Sequence, residues 1–185
     1  MNWDKYSDQP YIITDKKFKK LQKKKFLLEY LKMLIVFMII FPISFVWQFL
    51  MCYPKAKMQL GIGVNLDKGD IQYDLVEELG VKELLLRMPL WDMDGIDEYV
   101  DFAKGFGSDK NIVINILQDR EHVENLELLY ADVKIIFRKF QSISSEYQIG
   151  NATNRTKWGF FAVSEYLNFY QVAQRVRDQH FPALK

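Results

Sequence analysis

The stretch Glu146–Gly159, EYQIGNATNRTKWG, decides how the fold is read from this sequence. Residues 147–150 predict a short buried strand, and a polar loop with two Asn, an Arg and a Trp follows at once. In α/β proteins, ligands bind at the carboxyl ends of strands, so this loop is a candidate site. A ligand-free turn is the alternative, since Asn and Gly suit turns.

Three further strands are predicted before this stretch, at Gln59–Leu66, Glu83–Met88 and Asn111–Leu117. Helical spacing of apolar residues predicts helices at Ile71–Leu79, Ile96–Phe106 and Val123–Phe140, the last interrupted or curved near Ala131, with a fourth helix capped by Ser164. Strands and helices that alternate in this way imply an α/β fold with a parallel sheet and right-handed crossovers. Two architectures fit: a small open sheet, or four βα units forming half of a TIM-barrel-like sheet.

Charge is distributed unevenly along the chain. The first 53 residues hold nine Lys and four acids, whereas residues 54–185 hold 16 basic and 20 acidic residues. A nucleic-acid-binding domain would carry a basic surface on its folded part, so the sequence predicts no nucleic-acid partner.

The sequence offers no recognisable cofactor or metal motif. Neither a dinucleotide-binding nor a phosphate-binding glycine motif follows the first strand. His122 and His180 are solitary, which favours surface or structural roles over metal binding. Cys52 is the single cysteine, and it cannot form an intramolecular disulfide. We therefore expect no cofactor and no metal.

The N-terminal segment predicts a membrane anchor. Seven lysines fall within Lys16–Lys25, and the 21 residues Met33–Tyr53 carry no charge. As a helix those residues would span about 31 Å, enough to cross the hydrocarbon core of a bilayer. Pro42 would kink the helix without excluding it.

The predicted organisation has three parts. Residues 1–25 form a cytoplasmic Lys-rich tail, residues 26–53 a transmembrane signal anchor, and residues 54–185 a domain outside the cytoplasmic (inner) membrane. The lipid bilayer is thus the first predicted partner, and the protein is single-pass. A buried core helix, a cleavable signal peptide and a lipoprotein signal are the alternatives, and each fits the segment less well.

Three stretches of the domain, QLGIGVNL, LLLRMPLW and QIGNATNRTKWG, together resemble clan A glycoside hydrolases. The resemblance covers Gln59–Lys185, the first half of such a (β/α)₈ barrel. It matches Arg87 with the Arg that ends the second strand, and Asn151 with the Asn that ends the fourth. Ala152 stands where the family has its general acid/base Glu, and the position of the nucleophile lies beyond the matched half.

The resemblance implies glycan binding without a catalytic residue, because hydrolysis in such enzymes needs two carboxylates. The predicted binding residues are Asn65, Arg87, Trp91, Asn151, Asn154 and Trp158. Two alternatives stay open: Arg87 pairs with Asp92 or Asp94, and Trp158 packs at a strand-to-helix corner.

Several functions are compatible with this pattern. The first is a glycoside-hydrolase-like protein, truncated or catalytically inactive, that acts if at all on glycans outside the membrane. The second is a non-catalytic glycan-binding or cell-envelope interaction protein. In a third, the half barrel pairs with a second copy as a homodimer, or with a separate C-terminal half, because its edge strands need covering. A truncated reading frame without a function of its own is the fourth.

Overall fold

A computed structural model of the chain describes residues 15–51, 60–153 and 158–185. The domain is built on a parallel sheet of four strands in the order β1-β2-β3-β4. Their bounds are Gly61–Val64 (β1), Glu83–Pro89 (β2), Asn111–Leu117 (β3) and Glu146–Ile149 (β4). The predicted α/β class with a parallel sheet is confirmed.

Seven α-helices are described, with bounds Lys16–Lys25 (α1), Leu27–Leu50 (α2), Ile71–Leu79 (α3), Ile96–Gly105 (α4), Arg120–Glu124 (α5), Leu126–Phe140 (α6) and Val163–His180 (α7). Two short 3₁₀ segments, Leu66–Lys68 and Leu90–Gly95, follow β1 and β2. Each strand is therefore followed by helical structure, as the alternating pattern predicts.

The hydrophobic core lies on one face of the sheet. Leu86, Ile114 and Ile116 point to that face and are fully buried among side chains of the helices. Their neighbours in sequence, such as Leu85 and Val113, point to the opposite face and lie outside the core cluster. The strands thus follow one another across the sheet in the order of the chain, and the core cluster lies on one face of it.

Two helix boundaries differ from the prediction. The helix predicted over Val123–Phe140 is broken at Asn125 and continuous through Ala131, where the interruption was expected. The side chain of Asn125 accepts a hydrogen bond from the backbone N–H of Leu128 (3.1 Å) and so starts α6. The predicted cap Ser164 lies inside α7, which begins at Val163 after Ala162. Its hydroxyl donates instead to Glu29 Oε1 at 2.7 Å.

The outer edge of β4 is approached by the last residue of the chain. The backbone N–H of Lys185 donates to the carbonyl of Ser145 at 2.7 Å, just before β4. The N–H of Asn111, the first residue of β3, donates in the same way to Lys82, just before β2 (2.8 Å). Lys185 therefore lies beside the start of β4 in the same way that Asn111 lies beside the start of β2.

The predicted membrane segment is a helix. Among the described residues, α2 is the one helix long and apolar enough to cross a membrane, and none of its apolar window is buried. It starts at Leu27 and contains Pro42. The predicted end of the anchor, Cys52–Tyr53, lies outside the described residues, as do residues 1–14 of the predicted tail.

Candidate functional site

Polar residues follow every strand at its carboxyl end. Asn65 follows β1, Trp91 follows β2, Gln118 follows β3 and Asn151 follows β4. Because the strands are parallel, these residues share one edge of the sheet, which we call the carboxyl edge.

Three of the predicted binding residues come together at this edge. Asn65, Arg87 and Trp91 line one small cleft of about 20 Å³, named here the first cleft. Its remaining walls are Leu66, Asp67, Pro89, Tyr99 and Leu117. The cleft thus combines amide, guanidinium, indole and phenol groups with apolar walls.

The backbone of Asn65 is fixed by a side chain of α3. Gln72 Oε1 accepts a hydrogen bond from the Asn65 N–H (3.0 Å), and Gln72 Nε2 donates to the Asn65 carbonyl (2.7 Å). The main chain of Asn65 is therefore satisfied, which leaves its side chain for the cleft.

A row of polar side chains crosses the face of the sheet opposite the core. The strand register places Asn115 of β3 between Arg87 of β2 and Gln148 of β4. Asn115 is only 1% exposed, and its Oδ1 has no hydrogen-bond partner among the described residues. Buried polar atoms are rarely left without a partner, so such an atom points to a functional role or an ordered water.

Sequence reasoning missed Asn115 because it lies inside an apolar run, NIVINIL. The available signal was a polar residue at an alternating strand position.

Trp91 has a second buried polar atom of this kind. Its Nε1 also has no hydrogen-bond partner within the described part of the chain. The indole lines both the first cleft and a second, wider cleft of about 440 Å³. The other walls of the second cleft are Leu90, Met93, Asp94, Asp119, Arg120, Glu121 and His122. Trp91 therefore stands between two openings at the carboxyl edge.

Asp92, considered above as a partner of Arg87, accepts a hydrogen bond from Tyr99. The phenol donates to Asp92 Oδ2 at 2.8 Å. Burial, and then this hydrogen bond, raises the pKa of Tyr99 far above its usual range. Tyr99 therefore stays protonated, and its hydroxyl donates to Asp92 at the wall of the first cleft.

Asn151 lies at the β4 corner, apart from the residues that line the first cleft. Gln118, which is fully buried, accepts from the Asn151 N–H (2.8 Å) and donates to the Asn151 carbonyl (2.7 Å). This clamp repeats the one that Gln72 makes on Asn65. It fixes the main chain where β4 ends.

The residue after Asn151 has a strained backbone. Ala152 has φ of 45°, in the left-handed region that non-glycine residues seldom adopt. Strain of this kind occurs at sites of function and costs about 1 kcal/mol. Ala152 is also the position at which the resemblance expects a general acid.

The last two predicted residues are not found in an open site. Asn154 lies outside the described residues. Trp158 is 6% exposed, so its ring is buried at the strand-to-helix corner, which is the packing alternative. A ring in this position offers no open face to a sugar.

His122 is held between two carboxylates. Its Nδ1 lies 2.8 Å from Asp119 Oδ1, and its Nε2 lies 2.9 Å from Asp132 Oδ2. Burial acts to lower the pKa of His122, but the two hydrogen bonds outweigh it and the pKa is raised. Both nitrogens are occupied, so the ring joins α5 to α6 and leaves no nitrogen for catalysis. No cluster of residues that could hold a metal is found in the described ranges.

Arg120 ties the β3 end to α7. Its guanidinium binds both carboxylate oxygens of Glu165 at 2.9 Å and donates to the carbonyl of Gly159 at 3.0 Å. It also lies over the ring of Phe161, 4.9 Å from the centroid. This cluster fixes residues 158–164, which we call the β4–α7 corner.

In comparisons with known proteins, no family model, no curated protein and no solved structure matches this chain. The glycoside hydrolase resemblance therefore stays a prediction.

Proposed function

We propose that the chain is a membrane-anchored, glycoside-hydrolase-like protein that binds glycans at the carboxyl edge of its sheet and does not hydrolyse them. The observation that carries this proposal is the first cleft, where Asn65, Arg87 and Trp91 meet. Trp91 Nε1 and Asn115 Oδ1, which have no hydrogen-bond partner among the described residues, strengthen it.

The groups around the cleft match the chemistry of a sugar. A sugar hydroxyl both donates and accepts, so it can satisfy an indole N–H and an amide oxygen. An aromatic ring also packs against the apolar face of a pyranose. The shared position of Trp91 between two clefts favours an extended oligosaccharide over a single sugar.

The absence of a general acid argues for binding without turnover. A methyl group occupies position 152, and glycoside hydrolysis requires two carboxylates on either side of the bond. We expect Ala152→Glu to give no glycosidase activity, because the second carboxylate is also missing from the matched half.

The half-barrel architecture is part of the proposal. Sequential parallel strands, a core cluster on one face of the sheet and the position of Lys185 beside β4 support it. We place the lysine-rich α1 in the cytoplasm and the domain outside the cytoplasmic membrane, as the positive-inside rule favours.

Homodimerisation through the half barrel is a second candidate role. Within the described sheet, β1 and β4 each pair on one side only, and exposed edges of this kind are protected in native proteins. A second copy would cover both edges. Light scattering of the full chain in detergent tests this: we expect a dimer, and a monomer contradicts it.

A glycan array tests the main proposal. The full chain, reconstituted in nanodiscs, should be retained on hydroxyl-rich oligosaccharides, and Trp91→Ala should lose retention at least tenfold. Tyr170→Ala, on the exposed side of α7, is the matched aromatic control and should bind as the wild type does. Equal retention of all three proteins, or retention of none, contradicts the proposal.

A further inference from the structure

The N-terminal helices pack on the β4–α7 corner. The Ser164 hydroxyl donates to Glu29 Oε1 at 2.7 Å, and the Tyr30 hydroxyl donates to the carbonyl of Phe161. The ring of Phe18 in α1 also meets the ring of Phe161, with centroids 5.7 Å apart. The domain is therefore held at the beginning of α2, the end that follows the lysine-rich helix.

The chain enters the domain from the opposite end of α2. The helix has 24 residues, so its two ends are separated by about 36 Å. The described domain resumes at Leu60, nine residues after Met51. Nine residues span about 30 Å at most, which is most of that length, so in water the link is long enough for the domain to reach the beginning of α2.

The link between Met51 and Leu60 cannot return to the beginning of α2 through a bilayer. If α2 crosses the membrane, Glu29 and Leu60 lie on opposite sides in either orientation of the helix. A link returning to Glu29 would place an extended backbone and Lys55 and Lys57 in the hydrocarbon. Extended backbone exposed to lipid is not tolerated there, because its polar groups have no partner.

We infer that the chain has two mutually exclusive arrangements, a docked one in which α1 and the first turn of α2 cover the β4–α7 corner, and an inserted one in which α2 spans the bilayer and uncovers it. This inference rests on the membrane anchoring proposed above. The docked arrangement is the one seen in this structure.

Docking closes one side of the carboxyl edge. Tyr30 and Met33 of α2 line a pocket of about 180 Å³ together with Thr153 and residues 160–163 of the corner. Thr153 is two residues from Asn151, which ends β4 on the carboxyl edge. Insertion of α2 removes Tyr30 and Met33 from this pocket and so opens the β4 side of the candidate site.

The contacts favour insertion wherever a bilayer is present. The docked corner is held by few polar and ring contacts, whereas the apolar side chains of α2 from Met33 to Leu50 remain exposed. Burying that many apolar side chains outweighs a few contacts at one end. The docked arrangement therefore belongs to the chain before insertion.

Photo-crosslinking tests the inference on the full chain. Tyr30 is replaced by p-benzoylphenylalanine, and the chain is synthesised in a cell-free system with or without liposomes. Leu28, which is 73% exposed, carries the same group in the control. Crosslinked peptides are identified by mass spectrometry, and inserted molecules are defined by resistance to alkaline carbonate.

Without liposomes, we expect the group at position 30 to crosslink to residues 158–166 and the group at position 28 not to do so. Inserted molecules should lack the crosslink. A crosslink of equal yield in carbonate-resistant molecules overturns the inference while leaving the anchor intact. If the crosslink is absent both with and without liposomes, the inference is also overturned. Release of every molecule by carbonate overturns the anchor itself, and with it the inserted arrangement.

Discussion

Membrane insertion of α2 can be weakened in steps by placing arginine residues at the centre of the helix. Fifteen of its 24 residues are Leu, Ile, Val or Phe, and each contributes about −0.3 to −0.6 kcal/mol at the centre of a membrane helix. Together they supply roughly −5 to −9 kcal/mol, an upper bound because several lie near the ends. Met38 is close to the midpoint of the helix and is exposed.

One central arginine costs about 2.5 to 3.5 kcal/mol on the same scale. We expect Met38→Arg to remain largely inserted, because the apolar residues still outweigh a single charge. A second arginine in Met38→Arg/Ile39→Arg doubles the cost to about 5 to 7 kcal/mol, which matches the available free energy, and insertion should fail.

The assay is co-translational insertion into microsomes, scored by glycosylation sites placed on both sides of α2. Leu28→Arg is the control, because an arginine in the first turn can reach the interface with its side chain. Full insertion of the double variant, or loss of insertion in Leu28→Arg, would refute this account of α2.

Three further predictions concern the domain. Because the folded pKa of His122 is raised, its contribution to stability is complete below the unfolded pKa of about 6.5 and is lost as pH rises through the folded pKa. Each pH unit between the unfolded and folded pKa changes the free energy of unfolding by about 1.4 kcal/mol. His122→Gln should abolish this pH dependence, measured by denaturant titrations between pH 5 and 9. An unchanged dependence of the unfolding free energy on pH contradicts the prediction. Gly105→Ala should destabilise the domain by about 1 to 3 kcal/mol, since the new Cβ would lie 2.5 Å from Tyr73. Gly63→Ala is the control and should be neutral or slightly stabilising, because nothing lies within 4 Å of its Cβ. Equal unfolding free energies for the two variants would refute this packing. Ala152→Gly should raise the free energy of unfolding by about 1 kcal/mol by relieving the positive φ, and a loss of stability would show that Ala152 is not strained.

The sheet could be predicted because its signals are local. The apolar run NIVINIL predicted the observed bounds of β3, and helical spacing of apolar residues predicted the observed bounds of α3. Parallel order followed from the alternation of strands and helices. The break at Asn125 was missed because the apolar spacing continues across it, and only the capping hydrogen bond from its side chain separates α5 from α6.

The candidate site was predictable only in part, for a physical reason. Asn65 and Trp91 lie just after strands, so the strand ends fix their positions. They meet in the first cleft. Asn115 depends on the strand register, which the sequence alone does not supply. Trp158 depends on how the β4–α7 corner folds back over the sheet, and there it is buried.

The contacts between the N-terminal helices and the domain could not be predicted from the sequence either. Glu29 and Ser164 are 135 residues apart, and neither belongs to a periodic pattern that signals a partner. The sequence predicted an anchor and a domain as independent parts, whereas the structure joins them at the β4–α7 corner.

Under the proposed function, this protein binds a glycan and leaves it intact. The most direct measurement incubates the nanodisc-held full chain with an oligosaccharide that it retains on the array, and then analyses the bound and free sugar by mass spectrometry. The account predicts that the oligosaccharide is recovered at its original mass from the bound fraction, for both the wild type and Ala152→Glu. Shortened products that accumulate with time, or no bound sugar at all, would contradict it.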